Sequence, residues 1–112
     1  MEELKKGQKA FVVGERHNPQ LGVNLRGPYA VTVRRVNKTT YSVVYDDDMD
    51  GMPTLFLKGS GASCLNSTCA YGSIYYHLHS PASAADLFER FAEAKHRDDY
   101  ADEAKAIREK FQ

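Results

Sequence analysis

The feature that most constrains the fold is a pair of short β-branched segments separated by a polar dipeptide. The segments YAVTVRRV (29–36) and TTYSVVYD (39–46) are rich in Val, Thr and Tyr, and Asn37-Lys38 lies between them. Asn tolerates the positive φ angle that a two-residue hairpin turn requires. The pattern therefore predicts two adjacent antiparallel strands.

A two-residue turn also determines which side chains share a face of the hairpin. It places Val31, Val33 and Val44 on one face, and Tyr41 and Val43 on the other. Neither face is purely polar. Such a strand pair is typical of a small, strongly curled barrel.

Further strands are predicted on both sides of the hairpin. QKAFVV (8–13) is a candidate first strand, and TLFLKG (54–59) and GSIYYHLH (72–79) are candidates for the last two. The segments between them, 14–28 and 60–72, are rich in Gly, Pro, Asn or Ser and are expected to be loops.

The hydrophobic period changes after Ser80 and Pro81. Serine at the N-cap followed by proline at the first helical position is a helix start signal. Two apolar stripes follow at helical spacing, and they are out of register near residues 97–99, so we expect one bent helix or two short ones. The stripes are formed by Leu87, Phe88, Phe91 and Ala94, and by Tyr100, Ala104, Ile107 and Phe111.

These elements predict a single α+β domain over residues 1–112. A chain of 112 residues has room for one hydrophobic core. We expect a small curled antiparallel sheet or SH3-like barrel of about five strands over residues 5–79, followed by a helical portion over residues 80–112.

An excess of basic over acidic residues is found only in the N-terminal third of a chain that is neutral overall. The whole sequence has 15 basic and 15 acidic residues, so no overall field attracts nucleic acid or a membrane. Arg26, Arg34, Arg35 and Tyr41 nevertheless combine phosphate-binding and base-stacking side chains, as in single-strand-binding barrels. The alternative, which the neutral charge favours, is a solvated basic hairpin.

The acidic segment DDDMDG (46–51) matches the opening of a helix-loop-helix calcium site. In such a site the twelfth position supplies a bidentate acid, but here it is Leu57, and the flanking segments read as strands rather than helices. We therefore interpret this segment as the polar tip of a hairpin, with a weak divalent-cation site or a basic partner as alternatives.

A zinc site is a further hypothesis. Cys64, Cys69, His77 and His79 form a chemically sufficient tetrahedral ligand set, and the two histidines would point the same way from a strand. The spacing between these ligands departs from zinc-finger patterns, which favours two loop thiols and two exposed strand histidines. We therefore expect no cofactor, with zinc at these four residues as the alternative.

The sequence contains no motif that indicates catalysis or insertion into a membrane. There is no nucleophile elbow, phosphate loop or H-E-x-x-H motif, so we expect no enzyme. No apolar run approaches the length of a membrane span, and the N-terminal residues lack the apolar region of a signal peptide. We expect a cytoplasmic protein.

The order of these segments resembles that of small phage-encoded β-barrel proteins with an SH3-like strand order. The resemblance rests on LKKGQKAFVV, GPYAVTVRRVNKTTYSVVYD and SIYYHLHSP, and covers about residues 4–95. It implies a last strand that runs directly into an amphipathic helix. It also implies an accessory or host-directed binding role without catalysis.

The leading functional hypothesis is a protein-binding module, for example a phage protein that blocks or redirects a host factor. Its expected contact surface is the second helical stripe, at Tyr100, Ile107 and Phe111, which could instead support a homodimer. The alternatives are a nucleic-acid or nucleotide-binding barrel using Arg26 and its neighbours, and a zinc-stabilised interaction domain.

Overall fold

The computed structural model describes residues 3–18, 22–63, 67–69 and 72–111. A five-stranded antiparallel sheet curls into a nearly closed barrel, and a sixth, three-residue strand is added at one edge, in the order β4-β3-β2-β1-β6-β5. Two helices follow, which confirms the predicted α+β fold. The strands are β1 (Lys9–Asn18), β2 (Gly22–Val36), β3 (Thr40–Tyr45), β4 (Thr54–Leu57), β5 (Ser67–Cys69) and β6 (Gly72–His79).

Residues 61–63 bring the barrel close to closure. They lie between β4 and β6 and bond to both: Leu57 donates its N–H to the carbonyl of Ala62 at 2.8 Å, and Leu78 donates to the carbonyl of Gly61 at 2.8 Å. Isolated β-bridges join the same segment to Phe56 and His77. The edge of β4 that faces away from β3 is therefore partly hydrogen-bonded rather than open.

Strand β1 contributes to two hydrophobic cores because its side chains alternate between faces. Ala10 and Val12 point into the barrel, whereas Phe11 and Val13 point outward, beneath the helices. The barrel core contains Leu4, Ala10, Val12, Val31, Val33, Tyr41, Val43, Phe56 and Leu78. The outer core contains Phe11, Val13, Leu25, Ala84, Ala85, Leu87, Phe88, Tyr100, Ala104 and Ile107.

The predicted loop at 14–28 is wrong, because β1 and β2 continue through most of it as a long hairpin. In this part β2 extends beyond β3, so one edge of it lacks a neighbouring strand. A helical side chain replaces that strand: the hydroxyl of Tyr100 accepts from the Leu25 N–H at 2.9 Å and donates to its carbonyl at 3.4 Å. The predicted loop at 60–72 likewise contains the short strand β5.

The hairpin of β2 and β3 is confirmed, but its expected register is wrong. The turn is shifted by one residue: the Asn37 N–H donates to the carbonyl of Thr40 at 2.9 Å, so Lys38 and Thr39 lie between the paired residues instead of Asn37 and Lys38. An irregularity after Val33 then pairs Val33 with Val43. Val43 therefore lies in the barrel core together with Val31 and Val33, not on the opposite face.

Helix α1 begins with the predicted Ser80-Pro81 signal, and a second helix follows the predicted break. Helix α1 spans Pro81–Lys95, and the Ser80 hydroxyl at its N-cap accepts from the Ser83 N–H at 3.2 Å. His96 ends it in the left-handed conformation, with φ of 52°. Helix α2 spans Asp98–Phe111, so the expected break near 97–99 is confirmed. Neither described helix is long and apolar enough to cross a membrane.

Candidate functional site

The side chains expected to bind a partner on the second helix lie in the outer core. Tyr100 and Ile107 are each only 4% exposed. Phe111 is half-buried against Phe11, with ring centroids 5.4 Å apart in an edge-to-face arrangement. These residues attach α2 to the sheet, so a partner surface must be sought elsewhere on the monomer.

The basic residues of the hairpin are separated from the tyrosine that was expected to act with them. Tyr41 is 2% exposed, and its hydroxyl accepts from the Leu4 N–H at 3.0 Å inside the barrel. Arg26, Arg34 and Arg35 are exposed. A base could not stack on Tyr41 in this position, so a nucleic-acid site here would have to work without that ring.

Only two of the four candidate zinc ligands have described side chains. The rings of His77 and His79 are neighbours on β6, with centroids 6.4 Å apart. His79 Nδ1 lies 2.9 Å from the Ser83 hydroxyl. Burial, then the neighbouring His77, then Arg90 lower the pKa of His79 to about 4, so its imidazole is neutral at pH 7.

Cys64 and the side chain of Cys69 lie outside the described residues. Within the described part of the chain, no group of three potential metal ligands is found. The zinc site with all four ligands stays a prediction.

The acidic segment is a connection between β3 and β4, as the hairpin interpretation expected. Its first carboxylate already has partners: Asp46 lies 3.1 Å from Lys9 Nζ and accepts from the Thr32 hydroxyl at 2.7 Å. Burial opposes ionisation of Asp46, but these hydrogen bonds and the charge of Lys9 hold its pKa below the usual range. The carboxylate is thus used to attach the loop to the sheet.

A group of exposed apolar side chains that was not predicted lies in this loop and on strand β4 after it. Met49 and Met52 are 45% and 89% exposed, and Leu55 and Leu57 are 43% and 42% exposed. Phe56, between the two leucines, is fully buried in the barrel. The leucines therefore project from the outer face of the barrel, because successive strand residues point to opposite faces.

Two arginines lie beside these apolar side chains. Leu55 pairs with Ser42 and Ser42 pairs with Arg35, so all three project from the same face. Arg35 on β2 and Leu55 on β4 are separated by two inter-strand spacings, about 10 Å measured perpendicular to the strands. Arg34 donates to the carbonyl of Met49 at 3.0 Å. We define the Leu55 surface as Arg34, Arg35, Met49, Met52, Leu55 and Leu57.

A second unpredicted cluster lies at one end of the barrel. The rings of Tyr29 and Tyr45 are edge-to-face, with centroids 6.4 Å apart, and Tyr29 is 41% exposed. Burial, followed by Tyr76, Tyr29 and Asp47, raises the pKa of Tyr45, which is consistent with phenol groups gathered near one acid. We call Tyr29, Tyr45 and Tyr76 the tyrosine mouth.

Gly14 allows the third ring of the tyrosine mouth to lie against the backbone of β1. A Cβ atom at Gly14 would be 2.9 Å from a ring carbon of Tyr76, which is closer than Cβ atoms approach in proteins. Tyr76 pairs with Gly14 across β1 and β6. The ring occupies the space that any other residue at position 14 would fill.

Comparison with known proteins identifies no relative of this chain. No family model matches it, and no match is found among curated proteins or solved structures. The functional argument therefore rests on the surfaces described above.

Proposed function

We propose that this protein is a non-enzymatic protein-binding module that contacts its partner through the Leu55 surface. The observation that supports this is the concentration of exposed large hydrophobic side chains. Among the described residues five such side chains are exposed, and four of them belong to the Leu55 surface. Large exposed apolar patches are typical of protein interaction sites.

The composition of this surface also suggests the chemistry of the partner. Methionine and arginine are enriched in protein interfaces, and charged residues surround an apolar centre. Here Arg34 bonds to the backbone of Met49, and Arg35 projects from the same face as Leu55, about 10 Å away. The complementary partner has apolar side chains at the centre of the contact and carboxylates opposite these arginines.

The contact is expected to use side chains rather than strand addition. An extended peptide can add to a sheet only where backbone groups are unpaired. At Leu57 the backbone N–H donates to Ala62 and the carbonyl accepts from Gly61 at 3.0 Å. This part of the β4 edge is therefore occupied, which favours docking on the face of β4.

The resemblance to small phage-encoded barrels favours a host protein, met in the host cytoplasm, as this partner. A second copy of the chain is the competing occupant of the same surface. It is disfavoured by charge, since a symmetric contact would bring the Arg34 and Arg35 side chains of two copies close together.

Affinity purification with matched bait proteins tests the proposal. Leu57→Glu introduces a carboxylate at the centre of the Leu55 surface, and Ala106→Glu introduces the same group at an exposed position of α2. We expect a discrete partner to copurify with wild type and with Ala106→Glu, and to be lost with Leu57→Glu. Equal recovery with all three baits would contradict this assignment.

The oligomeric state separates the two occupants of the surface. Light scattering of the purified protein should report a monomer at micromolar concentration. A dimer that Leu57→Glu dissociates would show that the Leu55 surface serves self-association instead.

A further inference from the structure

Two rings of the tyrosine mouth line a surface pocket that contains no residue of the Leu55 surface. The pocket combines two aromatic rings, a proline and two carboxylate side chains. It is lined by Pro28, Tyr29, Ala30, Tyr45, Asp46 and Asp47. Such a combination suits a cationic group, because the face of an aromatic ring attracts positive charge and a carboxylate can accept its hydrogen bonds.

Asp47 is the carboxylate available to a ligand in this pocket. Asp46 is bound by Lys9 and Thr32, and Lys110 adds a further positive charge near it. Asp47 is exposed, and among the described residues it has no ion pair. It is near enough to the Tyr45 hydroxyl to contribute to its raised pKa.

We propose that the tyrosine mouth and Asp47 form a binding site for an arginine side chain of a partner polypeptide. A guanidinium group is planar, so it can stack on the ring of Tyr29 while its N–H groups bond to Asp47. Lysine offers neither planar stacking nor a forked donor set. The site is distinct from the Leu55 surface, and its occupancy does not depend on a partner there.

Single-stranded nucleic acid is the main competing ligand, since bases also stack on tyrosine rings. The carboxylate of Asp47 disfavours it, because a phosphate group would be placed next to a negative charge that has no ion-pair partner among the described residues. This carboxylate thus favours a cation over an anion.

Titration with two short peptides tests the site. The probe is the blocked peptide Gly-Gly-Arg-Gly-Gly, and its control contains citrulline, which has nearly the shape of arginine without the charge. Binding is followed at low salt by NMR of isotope-labelled protein, with Tyr29, Tyr45 and Asp47 as reporters. We expect saturable shifts of these signals with arginine and none with citrulline.

Three variants separate the contributions of the ring and the carboxylate. Tyr29→Phe keeps the ring and should bind within twofold of wild type. Tyr29→Leu keeps apolar bulk without the ring and should weaken binding by about threefold or more. Asp47→Asn should weaken binding by about two- to fivefold, the usual size of an exposed ion pair.

Leu57→Glu should leave binding of the arginine peptide unchanged, although it should abolish capture of the partner protein. This variant therefore distinguishes a failure of the tyrosine mouth from a failure of the Leu55 surface. Equal shifts with citrulline and arginine would overturn the proposal. So would equal affinities of Tyr29→Leu and Tyr29→Phe. Shifts of the tyrosine signals caused by an eight-residue thymidine oligonucleotide, without any response to the arginine peptide, would assign the mouth to nucleic acid instead.

Discussion

Replacing Tyr100 by Phe should destabilise the protein by removing one hydroxyl group. That hydroxyl bonds to both the N–H and the carbonyl of Leu25, at 2.9 and 3.4 Å, on the edge of β2 that is not paired with β1. Leu25 is 8% exposed, so water has little access to these groups. Leaving a buried backbone donor unpaired costs about 1–3 kcal/mol, and we expect about 2 kcal/mol here.

Phenylalanine retains the other contacts of the Tyr100 ring. Phe88 lies edge-to-face with it at a centroid distance of 5.7 Å, and the Arg97 guanidinium lies 4.2 Å from its centroid. The loss of stability would therefore report the hydrogen bonds rather than a cavity. Tyr29→Phe is the matched control, since the same atom is removed from an exposed side chain and the expected cost is near zero.

Urea unfolding measures the effect. With a slope of about 1.5 kcal/mol per molar urea, a loss of 2 kcal/mol lowers the midpoint by about 1.3 M. Hydrogen exchange at the Leu25 amide should accelerate in the variant, because its acceptor is gone. A midpoint within about 0.2 M of wild type, with unchanged protection of Leu25, would refute the view that Tyr100 replaces a missing strand.

Three further perturbations have defined outcomes. Phe56→Ala should cost about 3–5 kcal/mol in urea unfolding, since this fully buried ring fills the barrel core; a cost below 1 kcal/mol would contradict that placement. Ser80→Ala should lower the free energy of unfolding by about 1 kcal/mol because it removes the N-cap of α1, whereas Ser80→Asp keeps a capping oxygen and should lower it by much less. His79 has a pKa of about 4 in the fold against 6.5 ordinarily, so the unfolded chain takes up its proton first and stability should fall as pH drops from 6.5 to 4. The size of the pKa shift limits this loss of unfolding free energy to about 3 kcal/mol, and partial exposure of the ring reduces it to about 1–2 kcal/mol. His79→Gln should remove most of this pH dependence.

Local chemistry made the helices predictable. Ser80 and Pro81 define the start of α1 through a hydrogen bond and a fixed backbone angle, and both act within one turn of their position. The break before Asp98 follows from two apolar stripes that cannot share one helical face. Helix starts and breaks of this kind depend on residues close together in the chain, and they can therefore be predicted from a single sequence.

The long hairpin of β1 and β2 could not be predicted in this way. Residues 14–28 have a loop-like composition, and the second edge of β2 is satisfied at Leu25 by Tyr100, 75 positions away. The register of β2 and β3 depends on an irregularity after Val33 that changes which face the later residues occupy. A one-residue shift reverses every later side chain, so the face containing Val43 was assigned wrongly.

The candidate surfaces were missed for a similar reason. Every position of TLFL in β4 is apolar or β-branched, so alternation cannot tell which residues are buried. Closure of the barrel places Phe56 inside and leaves Leu55 and Leu57 outside. Conversely, Tyr100 and Ile107 looked like an unpartnered stripe because β1 was not recognised as apolar on both faces, so the second core, which they share with Phe11 and Val13, was not foreseen.

Site-specific photocrosslinking is the most direct test of the central claim that the Leu55 surface binds a protein. A photoreactive amino acid at position 57 samples this surface, and the same residue at position 106 samples exposed helix α2 as the control. In the cells where the protein acts, position 57 should give a discrete crosslinked species with a second protein, and position 106 should not. Crosslinks of equal yield at both positions, or at neither, would contradict the proposal.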